Sequence, residues 1–163
     1  MGEPRSERPA RRAGTDERLL IFRLGGQEFG IPLDSIVEII RHRPPTPVPG
    51  AGGAVEGILA LRGRMVTVFD ARRRLGLEPR AGGGGARVIV LDDRGELVGL
   101  VVDGEARVAC APRRTREPLP DSLPLGRRDL YEGILQRDGG CVLLLNVGAI
   151  TEVGAGAGEG GGA

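Results

Sequence analysis

A chain that writes the same sentence twice has few folds open to it, because both copies must find equivalent surroundings. The stretch "VEGILALRGRMVTVFDARRRLG" (55–76) returns, blurred, as "YEGILQRDGGCVLLLNVGAITEV" (131–153). Sliding the second copy back by 76 positions puts Glu132, Gly133, Ile134 and Leu135 on Glu56, Gly57, Ile58 and Leu59. Gly139 then falls on Gly63, Val142 on Val66 and Asn146 on Asp70, and six of the first fifteen pairs are identical, too many for chance. A second echo precedes the first: "LIFRLGGQEFGIPLDSIVEI" (20–39) resembles "VIVLDDRGELVGLVVDGEARV" (88–108), with Gly30 on Gly99 and Asp34 on Asp103. The order A, B, A′, B′ describes two homologous halves, not a solenoid, whose repeats run to about 20–50 residues. Each half has only about 65 residues, which makes a domain marginal by itself.

Strands dominate both halves. "LLIFRL", "EFGIPL", "RMVTVFD", "RVIVLD", "ELVGLVVD" and "CVLLLNV" are short, aliphatic or β-branched, and bounded by Gly, Asp or Pro. Gly25-Gly26 and Asp93-Arg94-Gly95 place turn chemistry in the middle of apolar runs, a hairpin signal. "DSIVEII" opens with a residue able to cap a helical turn, but its β-branched run favours strand. "DARRRLG" predicts a short helical turn closed by Gly76. Phe22, Phe29 and Phe69 fall at strand positions that face a core. The leader 1–18 mixes charge with Pro and Gly and is expected to be disordered, as is the Gly-rich tail 154–163. Between them lies one domain, 19–153, with subdomains of about 19–80 and 86–153 joined by the linker "EPRAGGGGAR". Several short strands at regular spacing predict a mainly β chain of two small barrels related by duplication.

All 23 basic residues are Arg, so Walker, Schiff-base and general-base lysines are excluded together. The four consecutive glycines at 82–85 lack the Lys and the Ser or Thr of a phosphate loop and are read as linker. The sole histidine, His42, sits in "RHRPPTPVP" without a Cys or Ser partner in any catalytic motif, and is expected to be an exposed loop residue. Cys110 and Cys141 are too few for a metal site and are expected to be small buried hydrophobes. No catalytic residue, metal ligand or cofactor site emerges. A net charge of +1 and few aromatics argue against nucleic acid, so the clusters at Arg72–Arg74, Arg113–Arg116 and Arg127–Arg128 are read as solvated faces or interface rims. No apolar run approaches the length of about 20 residues that spans a bilayer, and no signal peptide is apparent, so a cytosolic protein is expected. One polar residue stands out: Arg62, in "LRG", has no counterpart in the "RDG" of the second copy, which makes it a candidate for work specific to one copy.

At these residues the chain resembles the CheW coupling proteins of bacterial chemotaxis. "VEGILALRGRMVTVFDARRRLG" is similar to the family's signature of a Gly, a strand, an "N-L-R-G" turn, a second strand and "D-L-R", and "LIFRLGGQEFGIPLDSIVEII", "LVGLVVDGEARV" and "YEGIL" resemble its other blocks in the family's order. The resemblance runs from about Leu19 to Val153; the chain departs from it at Ala60, Thr67 and Ala71, where Asn, Pro and Leu are usual, and at Arg87, where an apolar residue is usual. The resemblance implies two five-stranded, SH3-like barrels packed across a hydrophobic seam. It also implies a non-enzymatic adaptor without cofactor or metal, whose partners are the cytoplasmic tip of chemoreceptors, the regulatory domain of a CheA-type histidine kinase and further CheW-like domains, with no nucleic acid and no membrane insertion. Carried over by position, Ile36, Glu38, Arg62 and Val108 fall where the family contacts receptor or supports that surface, and Gly57 falls in a segment linked to kinase docking. Glu38 and Arg62 are expected to meet at the rim of the partner surface. Two rival readings remain open: an adaptor in a non-flagellar pathway governing pili, gliding or gene expression, and a small RNA-binding barrel.

Overall fold

The computed structural model describes residues 16–82, 84–137 and 139–152. In the first half the strands are β1 (Asp16–Leu24), β2 (Gln27–Pro32), β3 (Ile36–Arg41), β4 (Val55–Leu61) and β5 (Arg64–Asp70), followed by the short helix α1 (Ala71–Leu75). The second half repeats the order with β6 (Arg87–Asp93), β7 (Glu96–Val102), β8 (Ala106–Pro112), the two-residue β9 (Arg116–Glu117), β10 (Tyr131–Arg137), β11 (Gly140–Leu145) and α2 (Val147–Ile150). "DSIVEII" resolves into a 3-10 turn, Leu33–Ser35, and then strand. α1 is capped as its sequence predicts: Asp70 accepts from the Arg72 N–H, and Gly76 closes it at φ 77°.

The chain is mainly β and its strands form two sheets, in the orders β8-β1-β2-β11-β10-β9 and β3-β6-β7-β5-β4. Each sheet takes the hairpin of one half and the remaining strands of the other. The joins are two equivalent parallel pairings, β2 with β11 and β5 with β7, in otherwise antiparallel sheets. The duplication is therefore used as a reciprocal exchange.

Three apolar clusters follow. Leu19, Ile21, Ala109, Ala111, Leu135, Val142 and Leu144 fill the concave side of the first sheet, and Leu59, Val66, Val68, Val88, Val90, Leu97 and Val101 that of the second. Between the sheets lies a seam containing Leu20, Phe22, Phe29, Phe69, Ile89 and Leu100. Successive residues of β1 and β6 thus alternate between an inner core and the seam. Both faces are buried, which is why these strands read as continuous apolar runs; continuous burial of this kind is a general source of unbroken hydrophobic strands. The three phenylalanines are at most 2% exposed.

Closed five-stranded barrels, the expectation from the sequence, are not found among the described residues. The sheets have six and five strands, and no ladder joins β8 to β9 or β3 to β4. Each sheet curls until the chain leaving one edge reaches the other: β9 follows β8 after a three-residue 3-10 turn and pairs with β10, and Thr46, beyond β3, makes a single bridge to Ile58 of β4. Prolines 44, 45, 47 and 49 flank Thr46 and lack the N–H that a ladder would need. Among the described residues no helix is long and apolar enough to cross a membrane.

Three further expectations are corrected. Asp16–Arg18 are not disordered leader but the start of β1, paired with Cys110–Pro112, and Glu17 receives Arg116 at 2.8 Å; residues 1–15 and the expected tail lie outside the described residues. Both cysteines are exposed, because Ala109 and Ala111, and Val142 on β11, take the inward phase of their strands. Of the arginines 72–74 only Arg73 keeps to a solvated face. The Arg74 side chain is buried over the Phe69 ring, 4.7 Å from its centroid, and donates to the carbonyls of Ile150 and Glu152 at 3.1 and 2.8 Å. Burial, and then the charge of Arg127, lower its pKa.

Arg72 ties the halves together. Its Nε and Nη2 donate to the two oxygens of Asp103 at 2.9 and 2.7 Å, and the Gly25 N–H donates to the same carboxylate at 3.1 Å. The hydrogen bond from Arg72, ahead of the Gly25 N–H and the neighbouring positive charges, holds the Asp103 carboxyl below its ordinary value. A carboxyl depressed in the folded state stabilises the fold above the unfolded value, about 3.9, and loses that contribution as pH falls through the folded one. Asp103→Asn is therefore expected to lower stability near neutrality and to flatten the acid limb of the melting profile below about pH 5. An acid limb as steep in the variant as in the wild type would assign the pH dependence to other carboxylates.

Candidate functional site

β4 and β5 are joined by the two-residue loop Arg62-Gly63, with Leu61 and Arg64 the last pair of the ladder. Both loop residues have positive φ, 49° and 79°, the geometry of the tight hairpin turns whose twist matches the strands. A non-glycine residue is uncommon there. The Arg62 guanidinium donates through Nη1 to Oε2 of Glu38 on β3. β3 and β4 are the two outermost strands of one sheet, so this pair spans the curl. The expected meeting of Glu38 and Arg62 is what the geometry shows.

The pair is asymmetric. Glu38 is held by a shift of register between Ile36 and Glu38, and its side chain is 22% exposed, against 72% for Arg62. The hydrogen bond and then the charge of Glu38 raise the Arg62 pKa above its already high ordinary value, so the guanidinium is a fixed cation. It has five N–H donors in a planar fork, of which Glu38 engages one. The remaining donors face solvent.

The same junction holds residues that sequence reasoning missed. Arg43 donates to the Ala60 carbonyl at 2.7 Å, and Nε2 of His42 lies 3.0 Å from Oε1 of Glu56. His42 is half-buried beside this carboxylate, not an unpartnered loop histidine. The usable signal was register: a Pro-rich segment that must run beside a strand offers side chains where its backbone donors are missing.

Gly57 is buried in β4 at φ 151°, at the residue where the ladder shifts register. A Cβ there would lie 2.2 Å from the Thr46 carbonyl oxygen. Gly133, its repeat partner, has φ 153°, with the Glu117 carbonyl oxygen 2.6 Å from the same virtual atom. Ile36 packs against the seam, and Val37 and Ile39 beside it are 50% and 39% exposed. Val108 is 55% exposed but belongs to β8, at the edge of the other sheet. The fold thus brings Glu38 and Arg62 into contact, sets Gly57 further back along β4, and puts Val108 on β8 opposite Leu20, a residue of the seam against which Ile36 packs. Among the described residues no group of three His, Cys, Asp or Glu side chains gathers as metal ligands.

Comparison with known proteins agrees with this architecture. The chain is 30% identical to the chemotaxis protein CheW of Rhizobium meliloti (strain 1021), over 81% of its own length and 85% of the relative's. It is 25% identical to the chemotaxis protein CheW of Bacillus subtilis (strain 168), over 85% and 88%. Its fold matches the crystal structure of the scaffolding protein TtCheW from Thermoanaerobacter tengcongensis with a TM-score of 0.78 at 24% identity, covering 88% of this chain and 92% of that one. The model of the CheW-like domain matches residues 18–154, nearly the whole described length, and the chain belongs to that family.

Proposed function

We propose that the chain is a cytoplasmic, non-enzymatic adaptor that couples the cytoplasmic tip of chemoreceptors to the regulatory domain of a CheA-type histidine kinase. The supporting observation is the Glu38–Arg62 pair across the junction of β3 and β4, with Val37 and Ile39, the strand neighbours of Glu38, exposed on the alternate phase of β3. Exposed apolar residues next to a polar rim suit a helix that lays down an apolar stripe. The outward donors of Arg62 would fix that helix's orientation, since a planar fork recognises carboxylates and carbonyls with more geometric specificity than a point charge. Coupling needs only that two partners bind at once with unequal preference for the kinase's states. The clusters that suggested nucleic acid support this reading by their inward engagement: Arg72 with Asp103, Arg74 with backbone carbonyls, Arg116 with Glu17 and Glu132, and Arg128 with the carbonyls of Leu119, Pro120 and Leu123.

The test is Arg62→Ala in a reconstituted assembly of receptor fragment, kinase and this chain. An exposed ion pair contributes little to folding, so the melting temperature should stay within about 2 °C of wild type. Receptor-dependent kinase activation should fall by about tenfold or more, with Arg62→Lys recovering only part of it. Full activation by Arg62→Ala, or a variant that simply unfolds, would remove Arg62 from the coupling surface. No complex of the wild-type chain with either partner would remove the adaptor reading itself.

A further inference from the structure

Arg41 and Arg87 end the ladder between β3 and β6 as directly opposed residues. Like charges facing each other on antiparallel strands destabilise a sheet, so such a pair calls for a counter-charge. None is supplied among the described residues: Arg41 makes no hydrogen bond or ion pair, and Arg87 has only two long contacts, to the carbonyls of Gly85 and Ala86 at 3.3 and 3.5 Å. Arg80 joins them. The acid it influences, Asp103, is already held by both forks of Arg72. These three guanidiniums and His42, itself tied to Glu56, line an open cavity of about 360 Å³ closed on one side by Gly84, Gly85 and Ala86. No carboxylate lines it, and its aromatic ring is the imidazole of His42.

We propose that this cavity binds a phosphate dianion, free or as a phosphomonoester. Three fixed cations are not offset by a single carboxylate, whereas a phosphomonoester carries about −1.5 to −2 charge at pH 7 and three acceptor oxygens. Guanidinium forks match those oxygens in pairs. The glycines at 84 and 85 add no side chain to the wall, so a tetrahedral anion can approach the backbone. No Phe, Tyr or Trp lines the cavity and the His42 ring is tied to Glu56, so the site lacks the succession of aromatic side chains on which single-stranded nucleic acid stacks. Gly84 and Gly85, which the sequence presents as bare linker, thus form one wall of a cationic site. This site is independent of the adaptor reading.

The test is calorimetric titration and thermal melting of the full chain with sodium phosphate against sodium chloride at matched ionic strength. Phosphate should bind and raise the melting temperature beyond chloride. Arg41→Ala and Arg87→Val should each lower phosphate affinity by about tenfold or more, because charge-assisted hydrogen bonds are the strong class. Arg80→Ala, outside the strands, gives the same readout should a strand variant fail to fold, and Arg62→Ala should bind phosphate like wild type. A phosphoserine peptide and its unphosphorylated twin separate the sources. Binding only of the phosphorylated form, lost in Arg41→Ala, assigns the site to a phosphorylated partner; binding of free phosphate but neither peptide assigns it to a small ligand. The proposal is overturned if phosphate does no more than chloride, if the arginine variants bind it as tightly as wild type and so reveal an adventitious ion only, or if a single-stranded oligonucleotide binds where phosphate does not.

Discussion

Gly57→Ala is expected to destabilise the chain by about 3 kcal/mol or more, the upper end of what forced overpacking costs. Two effects add. At φ 151° an L side chain is strained whatever the space around it, and the new Cβ would lie 2.2 Å from the Thr46 carbonyl oxygen and 2.7 Å from its carbon. Relief would require Thr46 to retreat, but it is stiffened by Pro44, Pro45 and Pro47 and held by two hydrogen bonds to Ile58, each of 2.9 Å. Gly133→Ala repeats the experiment in the second half with a softer neighbour. Its Cβ would meet the Glu117 carbonyl at 2.6 Å, and Glu117 belongs to a two-residue edge strand, so a smaller loss is expected. Urea unfolding of both variants checks the order. A loss below about 1 kcal/mol for Gly57→Ala, or a larger one for Gly133→Ala, would mean that the segment before β4 yields more easily than its prolines suggest. Any loss of kinase binding by Gly57→Ala has to be read beside this destabilisation, because the residue is buried and can act only through the course of its backbone.

Much of this fold is legible in the sequence where neighbours along the chain decide the outcome. The hairpins, the cap and stop of α1, and the inward phenylalanines all follow from local pattern. The meeting of Glu38 and Arg62 followed from family resemblance, since nothing local brings the two outer strands of a sheet together. What the sequence hid was decided by partners far away. In "VACAP" every residue is small or apolar, so the phase that turns Cys110 outward is set only by pairing with β1. Glu17 looks like a leader residue until Arg116, 99 positions later, is placed beside it. Arg74 is the instructive miss. The offset of 76 sets it on Ile150, which is fully buried, so the repeat itself held the signal that this arginine is an interior residue.

Cutting the chain within 81–85 is expected to leave two fragments that do not fold alone but fold on mixing. In the first half β1 pairs with β2 and β4 with β5, but among the described residues the only ladder of β3 is with β6 across the cut. In the second half β6 pairs with β7, and β10 with β9 and β11, while among the described residues the only ladder of β8 is with β1. Each fragment alone is thus a pair of small hairpin units with an orphan strand, and an isolated hairpin is marginal in water. Its apolar faces would also be bare: the seam needs Phe22 and Phe29 from one side of the cut and Ile89 and Leu100 from the other, and each inner core likewise draws on both halves. Separate fragments should show no cooperative melt. An equimolar mixture should give a one-to-one complex with a single concentration-dependent transition, because its stability is now an association equilibrium. If either fragment melts cooperatively by itself, a half of this chain can satisfy its own strand edges, and the exchange of hairpins between the sheets is not what makes the two copies interdependent.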